Sequence, residues 1–277
     1  MSRMISYEKK DTPIHKLSGF TKLVFFLLWC MTSALTYDTR ILILMLIFGA
    51  IIYYISGTKW KQVSGVFAAI MFFMVINLLC IFFFAPYQGC TIYSSRTDLF
   101  HLFGNYYMTK EQLFYEFNVL LKYFTVIPSA FIFLVTTDPS ELAASMNSIG
   151  IPYTIAYAIE IALRYIPDIQ DEFHRIKNAQ EARGIELSSK GKMIDRIKNT
   201  SVIIFPLLFS SMERIDVVSN AMELRGFGKN KKRSWYAKKP LKTGDYVALA
   251  LIVLFFIVSM VITFRNGDRF YNPFITK

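Results

Sequence analysis

Two arginines, Arg183 and Arg225, each followed by a glycine, sit at matched places in an eight-residue phrase that the chain uses twice. The copies are Asn178-Ala179-Gln180-Glu181-Ala182-Arg183-Gly184-Ile185 and Asn220-Ala221-Met222-Glu223-Leu224-Arg225-Gly226-Phe227, identical at five of eight positions and 42 residues apart. Arginine's planar fork can bond a carboxylate through two parallel N–H donors, so a matched pair could anchor a partner at two points. Each copy follows a helix-period run and puts Gly where a helix would end. Each arginine therefore belongs at a helix tip, its guanidinium beyond the last carbonyls. The helix macrodipole favours an arginine there in any case. Two matched copies in one basic segment argue for a shared role.

The other side chains able to do chemistry are dispersed. His15, His101 and His174 share no local spacing with another ligand, and Cys30, Cys80 and Cys90 form neither a zinc spacing nor a disulfide framework. Gly191-Lys192 lacks the preceding glycine and the following Ser or Thr of a Walker loop. No Ser or Cys nucleophile sits beside a base, and no apolar stretch carries paired carboxylates. The expectation is a non-catalytic chain with no metal and no cofactor. One ionisable pair, Glu116 and Lys122, falls in an apolar stretch, but a six-residue gap puts the two on different helix faces. Lys122 thus needs a partner from elsewhere, and a structural pairing outweighs a transport role.

The elements that must position the arginines follow from composition. A chain of 277 residues that is 54% hydrophobic and holds 26 Phe is too apolar for a soluble protein of this size and reads as a polytopic membrane protein. Its net charge of +11 then reports topology before it reports a nucleic-acid partner, and no nucleic-acid motif is present. Five apolar stretches qualify or nearly qualify as spans, at about residues 20–37, 41–55, 63–87, 113–136 and 246–264. The basic arm before the first run is not followed by a small-residue cleavage site, so that run is read as a retained span. With five spans, 24 of the 31 Lys and Arg fall on the side of the N-terminus and of segment 137–243, and six on the other. The N-terminus is therefore expected in the cytoplasm.

Two weaker apolar runs lie inside 137–243, at 151–166 and 201–212. If both crossed, the two Arg-Gly phrases would face opposite compartments, against the charge rule. Segment 137–243 is therefore expected to be a cytoplasmic or interfacial layer of amphipathic helices between an N-terminal membrane region, 1–136, and a last span with its tail, 244–277. Asp138-Pro139 opens its first helix, since Asp caps and Pro suits the first helical position, and that helix should end near Gly150. Ile151-Pro152 starts the next, which runs into the first Arg-Gly, and a second amphipathic helix through Leu208, Met212, Ile215, Val218 and Met222 runs into the other. Lys229, Lys231, Lys232 and Arg233 make a basic patch suited to membrane headgroups. Segment 88–112 reads as an outer loop. The fold class is thus all-α, about five transmembrane helices with a layer of coupling helices inserted before the last.

These features together resemble the transmembrane T component of energy-coupling factor transporters, a family that includes the cobalt-transport permeases. The resemblance rests on Ala182-Arg183-Gly184 and Leu224-Arg225-Gly226, on Thr136-Thr137-Asp138-Pro139-Ser140-Glu141-Leu142, on Leu163-Arg164-Tyr165-Ile166-Pro167, and on His15-Lys16-Leu17 before the first span. It implies a multi-pass subunit of a prokaryotic cell membrane with two ATP-binding cassette ATPase subunits and a substrate-binding S component as partners, importing vitamins or transition-metal ions. It further implies that Arg183 and Arg225 dock into grooves of the ATPases, supported by Glu181, Glu223, Asp138 and Pro139, and that catalysis belongs to the partners. The second phrase departs from the usual Ala-Arg-Gly in having Leu224. The competing readings are a secondary transporter or channel with its own midplane site, and a membrane scaffold with no ATPase partner. A repeat that lies in the helical layer and not in the spans argues against the transporter.

Overall fold

The computed structural model describes residues 10–58, 60–103, 106–184, 193–229, 234–236, 238–265 and 269–274. The N-terminal residues Arg3 and Lys9, Ile185 of the first phrase, Gly191-Lys192 and the patch Lys231, Lys232 and Arg233 lie outside the described residues. The chain divides into two compact units, Met1–Leu142 with Lys238–Lys277, and Ala143–Ala237.

The first unit is a helical bundle. After the short α1 (Pro13–Lys16) come α2 (Gly19–Leu35), α3 (Thr39–Ser56), α4 (Trp60–Phe84), α5 (Gln88–Tyr93), α6 (Lys110–Thr136) and α10 (Thr243–Phe264). Among the described residues four helices are long and apolar enough to cross a membrane: α3, α4 from Val63, α6 and α10. At 17 residues, α2 is apolar but measures only about 25 Å against a hydrocarbon core of about 30 Å. The helical architecture expected from sequence holds, with one addition. The segment read as a loop contains α5 and an antiparallel hairpin, β1 (Asp98–Phe103) with β2 (Tyr106–Thr109).

The bundle is arranged about α6, which packs against α2, α3, α4 and α5. One apolar cluster joins Trp29, Ile41, Met45 and Ile252, and another joins Val63, Ile127, Phe131 and Val135. Gly49 lies under the Trp29 ring, with the indole 3.7 Å from where a Cβ would stand. In lipid the hydrophobic effect gives no drive between helices, so close packing and interhelical hydrogen bonds hold them together. Thr36 pairs with Thr263 at 2.7 Å, Thr39 donates to Asn118 at 2.7 Å, and the Trp29 indole N–H donates to the Thr125 carbonyl at 3.0 Å.

At the hairpin end of the bundle, the tail after α10 folds back on the other helices. The Tyr37 N–H donates to the Arg269 carbonyl at 3.0 Å, Phe270 stacks on Tyr37 at 4.5 Å, and Asn272 donates to the Tyr93 carbonyl at 2.9 Å. Tyr93 is wholly buried among Phe114, Phe270 and Phe274, and burial pushes its phenol up to about 12. Lys122 finds its partners here: its ammonium lies 3.2 Å from the centre of the Tyr37 ring and donates to the Ala34 carbonyl at 3.2 Å. A carbonyl at a helix C-terminus with an aromatic face beside it is a structural cation site.

At the opposite end Asp245 ties α10 to α2. Its carboxylate accepts from the Ser18 N–H at 2.7 Å, the Thr21 hydroxyl at 2.8 Å and the Lys242 N–H at 2.9 Å. Removing one acceptor would strand two buried donors, each costing about 1–3 kcal/mol, and a third that is partly buried. Asp245→Ala is therefore expected to lower thermal stability in detergent by about 3 kcal/mol or more, and Asp245→Asn by less, since it keeps one acceptor oxygen. Temperature-dependent size-exclusion profiles of the two variants check the ranking.

Candidate functional site

The second unit is built on two long helices, α8 (Tyr153–Ala182) and α9 (Met193–Leu224). They follow α7 (Pro139–Ser148), which ends before Gly150 at φ +109°, as the sequence led one to expect. The apolar run at 201–212 and the amphipathic run that overlaps it from Leu208 lie in one continuous helix of 32 residues, which carries Pro206 inside it. Neither α8 nor α9 is among the helices apolar enough to cross a membrane.

The two helices run antiparallel. Arg214 of α9 pairs with Glu172 at 3.0 Å and reaches Asp168 at 4.0 Å, one turn earlier on α8, and its guanidinium lies 5.6 Å from the centre of the Tyr165 ring. Ser210, one turn earlier on α9, bonds Glu172. Positions that rise along α9 thus meet positions that fall along α8. At the end of the hairpin the same order continues: Phe227, just past α9, packs on Tyr153 at 5.5 Å and on Tyr157 at 4.9 Å, in the first turns of α8. Trp235 closes over Tyr157 at 6.3 Å and donates to Asn147 at 3.1 Å.

Both phrases end their helices in one way. Arg183 and Arg225 are the first residues beyond their helices, and Gly184 and Gly226 follow in the left-handed region at φ +82° and +67°. The Gly184 N–H donates to the Glu181 carbonyl at 3.0 Å, and the Gly226 N–H to the Glu223 carbonyl at 2.8 Å. The Phe227 N–H returns to the Met222 carbonyl at 3.0 Å, completing the six-to-one bond of a Schellman cap. The capping turn satisfies the late carbonyls and leaves both arginine side chains exposed. Leu224 is 90% exposed, so the second tip presents an apolar side chain beside its cation. Of the supporting residues, Glu181 and Glu223 supply the capped carbonyls. Asp138 and Pro139 stand at the start of α7, where the Asp138 carboxylate accepts from the Ser140 N–H at 2.8 Å, and these two belong to the first unit.

The hairpin therefore does not bring the two arginines together. One stands at the C-terminal end of α8 and the other beside its N-terminal end, about 45 Å apart for 30 residues at 1.5 Å each. Sequence spacing carried no sign of this. The charged stripe Asp168, Glu172 on α8 and Arg214 on α9 is the signal that would have given the antiparallel register.

The geometry defines a polytopic membrane component whose second unit is a hairpin of long helices with a matched Arg-Gly tip at each end. The chain belongs to the cobalt transport protein family, CbiQ, which matches residues 10–235. It is 29% identical over 217 residues to the energy-coupling factor transporter transmembrane protein EcfT of Leuconostoc gelidum subsp. gasicomitatum, covering 75% of this chain and 76% of that one. To the EcfT proteins of Streptococcus equi subsp. equi and Streptococcus thermophilus it is 26% identical over 257 residues and 25% over 263, covering 90% of this chain in each case and 91% and 96% of theirs.

An alanine in the left-handed region costs about 1 kcal/mol more than glycine, a factor of about five in an opening equilibrium. Gly184→Ala and Gly226→Ala should each speed amide hydrogen exchange about fivefold in the last turn of its own helix and leave the other tip unchanged. Exchange followed by mass spectrometry on peptides from 176–184 and 218–227 reads this directly.

Proposed function

We propose that the chain is the transmembrane coupling subunit of an energy-coupling factor importer, driven by two ATP-binding cassette subunits and serving a separate substrate-binding membrane subunit. The observation that carries this reading is the pair of like-capped arginine tips at opposite ends of one rigid hairpin. A dimeric ATPase offers two equivalent sockets some distance apart, and two equivalent tips held apart by the length of α8 suit it. In each socket Arg183 or Arg225 would make charge-assisted, bidentate bonds to a carboxylate. Ala182 and Leu224 would supply the contact beside it.

On this reading the family's relatives lend their printed role, transmembrane protein of an energy-coupling factor transporter. The excess of Lys and Arg in 137–243 and in the N-terminal arm puts both on the cytoplasmic side, within reach of soluble ATPases. ATP binding and hydrolysis would shift the sockets relative to one another and so move the hairpin. A stripe of α9 formed by Phe205, Leu208, Phe209, Met212 and Ile215 is exposed at the spacing of one helix face. We assign it to the membrane subunit that carries the substrate, a vitamin or a transition-metal ion, because an apolar stripe of this length suits an apolar partner.

Reversing both charges, Arg183→Glu with Arg225→Glu, should release the ATPases when the complex is purified through this chain, and each single reversal should weaken their retention. Normal ATPase co-purification from the double variant would refute the docking role.

A further inference from the structure

The chain leaves the membrane unit after Leu142 and returns to it at Lys238. Those two connections are the only covalent routes by which a displacement of residues 143–237 can reach the helices of the bundle. One residue inside each of them stands a charge: Glu141, buried in the first turn of α7, and Lys239, in the irregular stretch before α10, and the two form an ion pair. An acidic residue in a first helical turn needs no special explanation, since the macrodipole favours it. A lysine that reaches it from 98 residues away, in a segment with no helix of its own, does.

The pair rests on a second ionic layer. The Lys22 ammonium, buried near the start of α2, donates to the Thr136 carbonyl at 2.7 Å, on the last residue of α6. The charges acting on it are those of Glu141, Lys239, Asp245 and Asp138. Asp245 in turn holds the start of α10 to α2. The end of α6 and the start of α10 are thus linked over α2 through alternating charges, and the exit and re-entry of the chain are joined by the Glu141–Lys239 pair.

We propose that Glu141 and Lys239 are positioning residues that clasp the two connections into one, so that α6 and α10 take up the motion of the coupling hairpin together. This rests on the coupling reading above. With the clasp intact, a displacement entering through either connection is shared by both helices. With it broken, the two connections move independently, and part of the displacement is lost in the stretch at 238–242.

The test uses the complete complex in nanodiscs, purified with its ATPases, with Cys30, Cys80 and Cys90 replaced by Ser and spin labels placed at the exposed positions Leu134 on α6 and Tyr246 on α10. Pulsed electron–electron resonance should give one narrow distance distribution, the same without nucleotide and with a non-hydrolysable ATP analogue. Lys239→Met and Glu141→Gln should each broaden it and make it shift with nucleotide, and the conservative Lys239→Arg, which keeps a cation against Glu141, should leave the narrow, nucleotide-independent distance in place. A distribution in Lys239→Met and Glu141→Gln as narrow and unresponsive as the parent's overturns the clasp, and so does a Lys239→Arg variant that broadens as they do. Loss of the ATPases from the unsubstituted complex would instead defeat the coupling reading, and it is seen before any label is attached.

Discussion

Arg214 lies on α9 against Glu172 and Asp168 of α8, and this pairing fixes the direction in which the two long helices oppose one another. A partly exposed pair of this kind adds only about 1 kcal/mol or less to stability. Its weight is in register. A parallel arrangement would set Arg214 beside other residues and would place both Arg-Gly tips at one end. The antiparallel one sends them to opposite ends, with Phe227 seated on Tyr153 and Tyr157 to lock the second. Everything proposed for the tips depends on that separation.

The caps show why the phrase is repeated so closely. The glycine must adopt a left-handed conformation for the turn to close, and the arginine before it is then thrown outward from the last helical turn. Asn178 and Asn220 lie further back in each helix, and the glutamates lend their backbone carbonyls. Such a tip is stiff because its backbone bonds are satisfied locally, and a stiff tip transmits a push where a frayed end would absorb it. Within the first unit, the tail at 269–274 and the buried Tyr93 bind the β-hairpin end of the bundle with rings and one parallel bridge. The bundle is thus tied at both ends, by aromatic contacts at one and by Asp245, Ser18 and Thr21 at the other.

Much of this could be read from residue order because the signals were local. Apolar length gave α3, α4, α6 and α10 nearly to their ends, Asp138-Pro139 and Gly150 bracketed α7, and the two glycines gave the tips. What escaped was long-range. Residues 88–112 carry no apolar period, so α5 and the β-hairpin were hidden; they are held by contacts such as the Gly89 N–H to the Gln112 side chain at 2.9 Å. An apolar stretch around Lys122 shows that it needs a partner, but the carbonyl at Ala34 and the ring at Tyr37 lie some 85 residues away in sequence. The helix through 193–224 extends well before Leu208, where its amphipathic pattern becomes legible, and carries Pro206 inside it. The joining of Glu141 to Lys239 left no mark in either local pattern.

The central claim is that one chain engages two ATPase subunits at once, one at each tip. A photo-crosslinking amino acid placed at Ala182 and at Leu224 in the same chain, beside the arginines and not in their place, tests it most directly. Irradiation of the purified complex should give an adduct with the mass of this chain plus two ATPase subunits. Adducts carrying a single ATPase from either position, with no doubly linked species even at complete labelling, would contradict it.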